Sequence, residues 1–357
     1  MLYLALNPGN TFGWGVCSKY LISEVGKLRE IRVVNDSNIG LLTEPNLQGR
    51  VFHAIGDHSL RRQYPIKGEI NYGYTFFENL LEEDALKNAR FYDLVFAGST
   101  WCRQKLEEKG ISWVQTLIQG IDPDLFFPLE LEKPSGKDKF IIFSGGKFEL
   151  RKGQDLVLRA VKVLQDKYDD IVLMNLWQNH WKFSFETMKR SSYINFVVNG
   201  ETWEEIIKNI MAENGIDPER NIVLPPINNN QLKNVYANTD IGLFPNRCEG
   251  GTNLVLMEYM ACARPVIASY NTGHRDILTK DNALLLEEMK PYDDFDEKGE
   301  MLGAWQEPDL DELVSKLEYA YLNRDGLDSI ARQAGEDMKR YTWHATAKDL
   351  LEKIEQR

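Results

Sequence analysis

Short apolar runs alternate with longer stretches of helical periodicity along most of the chain. In the first third, buried strands are predicted at residues 2–6, 51–55, 92–97 and 114–118. Helices are predicted at residues 16–27 and 100–109, and Gly110 is placed to end the second of them. Strands that alternate with helices are typical of parallel α/β sheets.

A second series of the same kind begins near residue 140. The strand predicted at 140–143 leads into a turn at Gly145-Gly146 and then into a helix at 154–167, where Leu158, Val161 and Leu164 repeat at helical spacing. Further strands are predicted at 171–176, 222–224, 241–244 and 265–268, with helices at 231–238 and 253–263. Two βα series in succession predict an α/β protein with two Rossmann-like domains.

The division between the domains is expected in residues 122–138, which carry three prolines, a glycine and many charges. We therefore expect a first domain at 1–130 and a second at 131–339, with a C-terminal helix at 340–357 that rejoins the first. The last 50 residues are predicted to be helical, interrupted at residues 341–343. The acidic segment 287–300 is interpreted as a solvated excursion between core elements.

Composition excludes several classes of function. The 357 residues include 42 Lys+Arg against 54 Asp+Glu, a net charge of −12, which argues against nucleic acid as the main partner. No apolar stretch approaches the roughly 20 residues that span a bilayer, and the start lacks the basic region and long apolar region of a secretory signal. The four scattered cysteines suggest reduced thiols in a cytoplasmic protein.

The most informative segment lies between residues 240 and 269. A strand ends near Pro245 and is followed by a loop with Gly250 and Gly251 and then by a helix. Glycines let a ligand approach the backbone, and the free amides at a helix start favour a diphosphate. Glu258 lies six residues beyond Thr252, roughly 9 Å along the helix, where a carboxylate can accept hydrogen bonds from a ribose diol. The alternative is a tightly packed glycine pair and a solvent-facing glutamate.

A second segment, residues 143–153, places two lysines beside a strand end. Lys147 and Lys152 follow the Gly145-Gly146 pair and precede a helix. A strand, loop and helix with paired cations suits a phosphate group at the carboxyl end of a parallel sheet. It is not a P-loop, because the G-x-x-x-x-G-K-[ST] pattern is absent. Lysines in a surface turn are also commonly just solvated.

Together the two segments resemble the retaining glycosyltransferases of family 4, which have the GT-B fold. That family has G-R-x-x-x-x-K-G at the start of its second domain and E-G-x-G-x-x-x-x-E followed by A-x-G-x-P-V. The matching residues here run from Gly146 and Lys147 to Lys152 and Gly153, from Glu249 to Glu258, and from Ala261 to Val266. Further family-like phrases lie at residues 13–16, 95–101, 119–128 and 341–343, so the likeness spans nearly the whole length.

The sequence departs from the family pattern at three places. Eight residues separate Glu249 from Glu258 where the family usually has seven, which affects the expected role of Glu249 more than that of Glu258. Lys147 stands where the family often has Arg, which keeps the charge but loses the bidentate fork. Ala263 replaces a usual glycine.

The resemblance implies roles for individual residues. Glu249, Lys147 and Lys152 would be catalytic: the lysines would neutralise the donor diphosphate and Glu249 would contact the transferred sugar. Glu258 would hold the ribose, and a loop at residues 13–15 would close over the donor. The donor-binding residues would be Gly13, Trp14, Gly15, Gly146, Gly250, Gly251, Thr252, Asn253, Leu254 and Glu258. The cleft residue of the first domain stays open among His53, His58 and Glu78.

The implied function is metal-independent transfer of a sugar, with retention, from a UDP- or GDP-linked donor to a hydroxyl of a glycan, glycolipid or small molecule. We expect no cofactor and no metal, because the three D-x-D patterns, which include Asp122-Pro-Asp124, do not follow a strand at a nucleotide site. Two alternatives remain at this stage: a GT-B nucleotide-sugar epimerase and a non-catalytic nucleotide-sugar-binding protein. The base, the sugar, the acceptor and the oligomeric state are left open.

Overall fold

A computed structural model describes residues 1–41, 45–129 and 139–356. The first domain is built on a six-stranded sheet of order β2-β1-β3-β4-β5-β6, in which all neighbours are parallel. Its strands are β1 (Leu2–Ala5), β2 (Ile31–Val34), β3 (Arg50–Ile55), β4 (Ile70–Thr75), β5 (Leu94–Ala97) and β6 (Val114–Thr116). The sheet confirms the first of the two predicted Rossmann-like domains.

The second domain has its own parallel six-stranded sheet, of order β12-β11-β10-β7-β8-β9. Its strands are β7 (Phe140–Lys147), β8 (Ile171–Gln178), β9 (Asn221–Val223), β10 (Ile241–Phe244), β11 (Val266–Ser269) and β12 (Leu284–Leu286). The strand order reverses between β7 and β10. Ligands of open α/β sheets bind outside the carboxyl ends of the strands at such a reversal.

Helices connect the strands of both sheets. They are α1 (Gly13–Leu28), α2 (Ala85–Ala89), α3 (Thr100–Glu108), α4 (Gln154–Lys167), α5 (Lys182–Phe185), α6 (Trp203–Glu213), α7 (Leu232–Ala237), α8 (Leu254–Ala261), α9 (Leu310–Leu322), α10 (Asp328–Met338) and α11 (Trp343–Glu355). The strand predicted at 241–244 and the helix at 154–167 have the predicted bounds. Predictions made from strong apolar runs and helical periodicity are confirmed.

Several strands that the sequence analysis missed have weaker patterns. Strand β4 reads Ile-Asn-Tyr-Gly-Tyr-Thr, so polar and glycine residues interrupt its apolar run although five of its six positions are buried. Strands β2 and β12 have only four and three residues. The predicted turn at Gly145-Gly146 is wrong, because β7 continues through both glycines and pairs with β8 as far as Lys147.

The acidic segment forms part of a β-hairpin whose acids are mostly exposed, as the interpretation of a solvated excursion expects, and Asp294 is the buried exception. Strands β13 (Met289–Phe295) and β14 (Met301–Pro308) pair antiparallel outside the main sheet. Asp294 on β13 is buried and lies 2.8 Å from Arg190. The sequence analysis did not predict strand β13, because this segment is rich in charges. One of those charges, Asp294, is paired with Arg190 in the fold.

The last helix packs on the first domain. Trp343, at the start of α11, stacks on Tyr20 of α1 with ring centroids 5.5 Å apart, and both belong to the core that contains Leu2 and Leu4 of β1. The expected boundary between residues 130 and 131 lies outside the described residues and stays a prediction. All four cysteines are buried free thiols. Across the described ranges, no helix is both long and apolar enough to cross a bilayer.

Candidate active site

The two segments singled out in the sequence meet at the reversal of the second sheet. Lys152 ends a 3₁₀ turn (Leu150–Lys152) after β7, and Glu249 lies in the loop after β10. Lys152 Nζ donates to both carboxylate oxygens of Glu249, at 2.8 and 2.6 Å. Their side chains are 11% and 6% exposed, so the alternative of a solvated lysine in a surface turn is wrong for Lys152.

Glu249 is held as an anion. Its carboxylate also accepts hydrogen bonds from Arg151 Nη1 at 3.1 Å and Asn246 Nδ2 at 2.9 Å. Burial opposes its ionisation, but the charges of Lys152 and Arg151 outweigh burial and lower the pKa of Glu249 to about 2. The site therefore contains a permanent carboxylate that is already paired with two cations.

Arg151 is the central cation of the cluster, and the sequence analysis did not include it. Its guanidinium lies 2.7 Å from Glu149 Oε1, 3.1 Å from Glu249 Oε1 and 3.3 Å from Glu78 Oε1. Burial opposes its charge, but these carboxylates raise the pKa of Arg151 further above its ordinary value. The only signal in the sequence was its place beside Lys152 in the segment already chosen for its cations.

Lys147 lies at the outer edge of this cluster. Its Nζ atom is 3.4 Å from Glu149 Oε2 and 5.2 Å from the ring centroid of Trp181, and its side chain is 37% exposed. Gly146, which precedes it in β7, has φ of +118°, a conformation that side-chain-bearing residues rarely adopt. Lys147 is therefore the cation of this cluster most accessible from solvent.

A fully buried arginine fixes the loop that carries Arg151 and Lys152. Arg247 pairs with Asp155 through two nitrogens, at 2.9 and 2.7 Å, and its Nη1 donates to Leu150 O at 2.5 Å. Its backbone N–H donates to Arg151 O at 2.7 Å. These bonds join the loop after β10 to the turn after β7, which holds the two cations near Glu249.

The first domain touches the glycine loop directly. Ser99 Oγ donates to Gly250 O at 2.7 Å, and the Gly250 N–H donates to Glu78 Oε1 at 3.3 Å. A side-chain carbon added at Gly250 would overlap the backbone of Phe77, and one at Gly251 would lie 3.0 Å from Gln119 Oε1. Gly250 is therefore required for the close approach of the two domains, and Gly251 leaves little room for a side chain.

The residues after the glycines have well-defined partners. Thr252 Oγ1 donates to Met257 Sδ at 3.0 Å, and partly buried Leu254 begins α8 and packs against cores of both domains. Asn253 has φ of +64° and its Nδ2 lies 3.2 Å from His274 Nε2. Since His274 Nδ1 lies 3.1 Å from the carbonyl of Ser269, Nδ1 carries the proton and Nε2 accepts.

His274 is neutral in this arrangement. Burial is the main cause that lowers the pKa of His274 to about 4, although the charge of Glu249 favours its protonation. A neutral ring with a protonated Nδ1 leaves Nε2 free to accept from Asn253. The sequence analysis missed this residue, which accepts from the side-chain amide of Asn253 just before α8.

Glu258 is buried on α8 and belongs to a separate polar group. Its Oε1 accepts from Asn229 Nδ2 at 2.6 Å and its Oε2 from Tyr236 Oη at 3.5 Å. Burial outweighs these two hydrogen bonds and raises the pKa of Glu258 to about 8. The alternative of a solvent-facing glutamate is wrong, because the residue is only 4% exposed.

The segment of Gly13, Trp14 and Gly15 is the first turn of α1 and not a loop, so that expectation is wrong. Trp14 packs against Phe76 with the rings tilted by 35° and their centroids 4.1 Å apart. This contact brings Trp14 near the glycine loop, since Phe76 also lies 4.0 Å from the position a side chain would take at Gly251. The Gly15 backbone is held by a hydrogen bond from Gly9 N at 2.9 Å.

The three first-domain candidates occupy different environments. His53 is buried in β3, where its ring contacts Asn71, Phe91 and Tyr92. His58 lies in the segment after β3, half-buried. Of the three, Glu78 contacts the residues around Glu249, through Arg151 and the Gly250 N–H. Within the described ranges, no three His, Cys, Asp or Glu residues are grouped to hold a metal ion.

A segment that spans slightly less than half of the chain matches a known family. Residues 130–300 match the family model described as "Glycosyl transferases group 1". This match covers the segment with Lys147 and Lys152 and the segment with Glu249 and Glu258. No curated protein sequence matches the chain closely enough to serve as a relative.

Solved structures with the same fold align over nearly the whole chain. Sucrose-phosphate synthase from Thermosynechococcus elongatus has a TM-score of 0.68 at 14% identity, covering 99% of this chain and 98% of that one. Anabaena HepE in complex with UDP and glucose has a TM-score of 0.67 at 13% identity, covering 100% of this chain and 99% of that one. Trehalose-6-phosphate synthase has a TM-score of 0.61 at 14% identity, covering 97% of this chain and 80% of that one. Residues 130–300 therefore match a glycosyltransferase family model, and the described chain has the two-domain fold of these GT-B structures.

Proposed function

We propose that this enzyme transfers a sugar, with retention of anomeric configuration, from a nucleoside-diphosphate sugar to an acceptor hydroxyl. The observation that carries the proposal is the convergence of Arg151 and Lys152 with the Gly250 loop at the strand reversal. Cationic side chains and the backbone amides before a helix are groups that bind a diphosphate. UDP and GDP are the proposed nucleotides.

The cations would act mainly on the leaving group. As the bond to the sugar breaks, negative charge grows on the diphosphate, and preorganised donors beside it stabilise that charge. Lys147 and Lys152 have this role in the proposal, and Arg151 is added because it pairs with the same carboxylate, Glu249, as Lys152 does. The departing phosphate would then accept the acceptor proton, as in the front-face mechanism of the family 4 glycosyltransferases.

Glu258 is proposed to hold the ribose. Its carboxylate lies on the buried side of α8, and Asn229 Nδ2 already orients one of its oxygens. An ionised carboxylate accepts two hydrogen bonds from a vicinal diol, whereas the neutral acid must donate one of them. Donor binding would therefore favour loss of the proton that burial retains on Glu258.

Glu249 is proposed to contact the transferred sugar from the loop before α8. Its permanent charge and its fixed position between Lys152 and Arg151 suit a hydrogen-bond acceptor for a sugar hydroxyl. We propose no metal, because the cations of the cluster supply positive charge at the leaving group. The acceptor, a glycan, glycolipid or small molecule, would enter from the side of the first domain.

The named neighbours support the donor class and the stereochemistry. HepE was solved with UDP and glucose and also with UDP-glucose. The trehalose-6-phosphate synthase structure was described in a study of glycosyl transfer with retention. Both proteins share the fold with this chain at low identity, so they motivate the choice of ligands and leave the donor to experiment.

A thermal-shift screen with UDP, GDP and ADP and their glucose and mannose conjugates tests the proposal. A ligand at 100 times its Kd stabilises the protein by about 2.7 kcal/mol. We expect stabilisation by UDP or GDP and, with an acceptor, a product of the donor's anomeric configuration by NMR. An inverted product would contradict retention. An altered free donor sugar would favour an epimerase, and binding without turnover would favour a non-catalytic protein.

A further inference from the structure

Glu78 joins the first domain to the cationic centre of the second. It follows β4, and its Oε1 atom accepts from the Gly250 N–H at 3.3 Å and lies 3.3 Å from Arg151 Nη1. The Gly250 amide is one of the groups that the proposed function assigns to the donor. A carboxylate of the chain itself therefore occupies groups suited to an incoming anion.

Charge in the cluster is balanced only when Glu78 is included. The second domain contributes three cations and two carboxylates, namely Lys147, Arg151, Lys152, Glu149 and Glu249. Their sum is 3 − 2 = +1, and Glu78 brings it to zero. The anion that completes the cluster thus comes from the other domain, and an anionic ligand would have to compete with it.

Glu78 is also the carboxylate that is held least tightly. Its side chain is 22% exposed, against 8% for Glu149 and 6% for Glu249. Both of its contacts measure 3.3 Å, whereas Lys152 approaches Glu249 to 2.6 Å. Partly exposed pairs of this length contribute little to stability, so this carboxylate is the one that a ligand can displace.

The backbone around Glu78 is fixed independently of its side chain. Trp305 Nε1 on β14 donates to Glu78 O at 2.8 Å, and Leu80 N donates to Leu302 O at 2.7 Å. The β13–β14 hairpin of the second domain therefore holds this segment of the first. The carboxylate can leave the Gly250 amide by side-chain rotation while the segment stays in place.

We infer that Glu78 is a built-in competitor of the donor diphosphate, which occupies the Gly250 amide and Arg151 until the diphosphate replaces it. The inference rests on the proposed function. The exchange swaps one anion for another at the same groups, so the cluster is never left with uncompensated positive charge. Competition by Glu78 weakens donor affinity. Donor binding also removes the contact of Glu78 with Gly250 and Arg151, which joins the two domains.

The test compares wild type with Glu78→Gln by calorimetry, with UDP, GDP and inorganic pyrophosphate as probes. The amide keeps the side-chain shape but removes the competing charge. Each probe that binds wild type should therefore bind Glu78→Gln about three- to tenfold more tightly. Glu83→Gln is the matched control, since Glu83 is an exposed acid five residues along the same segment. Its affinities should equal those of wild type.

The sign of the change separates the possible roles. Equal or weaker binding of UDP and pyrophosphate by folded Glu78→Gln would overturn the inference, and weaker binding of UDP-glucose alone would assign Glu78 to the sugar instead. If Glu78→Gln does not fold, Glu78→Asp, whose shorter side chain retracts the carboxylate, should give the same tightening. Failure of both variants to fold would show a structural role. If no probe binds wild type or variant, the proposed function fails as well.

Discussion

Lys152 and Glu249 are 97 positions apart in the sequence, yet their side chains form a buried pair with Nζ 2.6 Å from Oε2. The pair forms because β7 and β10 are neighbours in the sheet, so the segments after them leave the same edge side by side. Burial lowers the pKa of Lys152, while Glu249 opposes that change. The pair therefore joins the proposed phosphate cation to the proposed sugar carboxylate.

Replacing Lys152 should weaken donor binding and also destabilise the fold. Loss of a charged hydrogen bond costs about 1.5–3 kcal/mol, which corresponds to roughly 10- to 150-fold in affinity for UDP or GDP. We expect this loss for Lys152→Met, together with a lower melting temperature, because Glu249 keeps only Arg151 as its cation. Calorimetric titration and thermal denaturation measure the two effects.

Lys147→Met is the matched control for stability. Lys147 is more exposed and its nearest carboxylate is 3.4 Å away, so this variant should melt within a few degrees of wild type while still losing donor affinity. If Lys152→Met were as stable as wild type and bound nucleotide equally well, Lys152 would have no part in the site.

The pH dependence of stability should report Glu258. Its pKa is about 4.5 in the unfolded chain and about 8 when folded, so the folded state retains the proton more strongly. The stability that this proton contributes is complete below pH 4.5 and is lost as pH rises to about 8, by at most about 1.4 kcal/mol per unit. Glu258→Gln should remove this slope in denaturant titrations between pH 5 and 9.

Nucleotide affinity should show the opposite trend at the same residue. If the ribose diol binds the ionised carboxylate, wild-type affinity for UDP or GDP rises with pH up to about 8, the folded pKa of Glu258, and binding releases a proton. Calorimetry in buffers of different ionisation enthalpy measures that release. A pH-independent affinity with no proton release would place the ribose elsewhere.

The main features of the fold could be read from the sequence because they follow from strong patterns. The apolar run of β10 and the periodic face of α4 need no tertiary information, and both were predicted with the right bounds. Strand β4 was missed because Asn71 and Gly73 interrupt its apolar run, and tertiary burial makes it a strand. The β13–β14 hairpin was missed because lysine, proline and two aspartates leave β13 with no apolar run.

Prediction of the site had a different limit. The flagged residues Lys152, Glu249 and Gly250 do lie together, since parallel strands fix which loops meet. The sequence could not predict which side chains of the site form ion pairs with one another. In the sequence, Arg151 was only a neighbour of the chosen Lys152, and Glu78 was one of three open candidates in the first domain. The packing of the two domains makes them partners.

The two glycines at the start of α1 should respond differently to substitution. A side chain at Gly13 would meet nothing within 4 Å, whereas one at Gly15 would lie 2.9 Å from Gly9 Cα. Gly13→Ala should therefore be as stable as wild type, and Gly15→Ala should melt lower. If Gly13→Ala is stable but loses donor affinity, the donor approaches that turn; full affinity would remove Gly13 from the proposed site.

Activity should persist in excess EDTA. In the proposal, Lys147, Arg151 and Lys152 supply the positive charge that a divalent ion provides in metal-dependent transferases. Transfer rates are measured before and after chelation, and again after Mn²⁺ or Mg²⁺ is restored. Loss of transfer with EDTA and its recovery with either ion would require a metal site and overturn the metal-independent mechanism.

Glu249→Gln should separate sugar contact from nucleotide binding. The change keeps the shape of the side chain but removes the charge between Lys152 and Arg151, so free UDP or GDP should bind at least as tightly as to wild type. Transfer should fall, because a neutral amide is a weaker acceptor for a sugar hydroxyl than the carboxylate with a pKa of about 2.

Glu258→Gln is the contrasting variant, and it should weaken the binding of every nucleotide, free nucleoside diphosphates included. Nucleotide affinity and transfer rate measured for both variants decide the assignment. If Glu249→Gln transfers sugar at the wild-type rate, Glu249 serves only to anchor Lys152 and Arg151, and the sugar is held by the amides of the glycine loop.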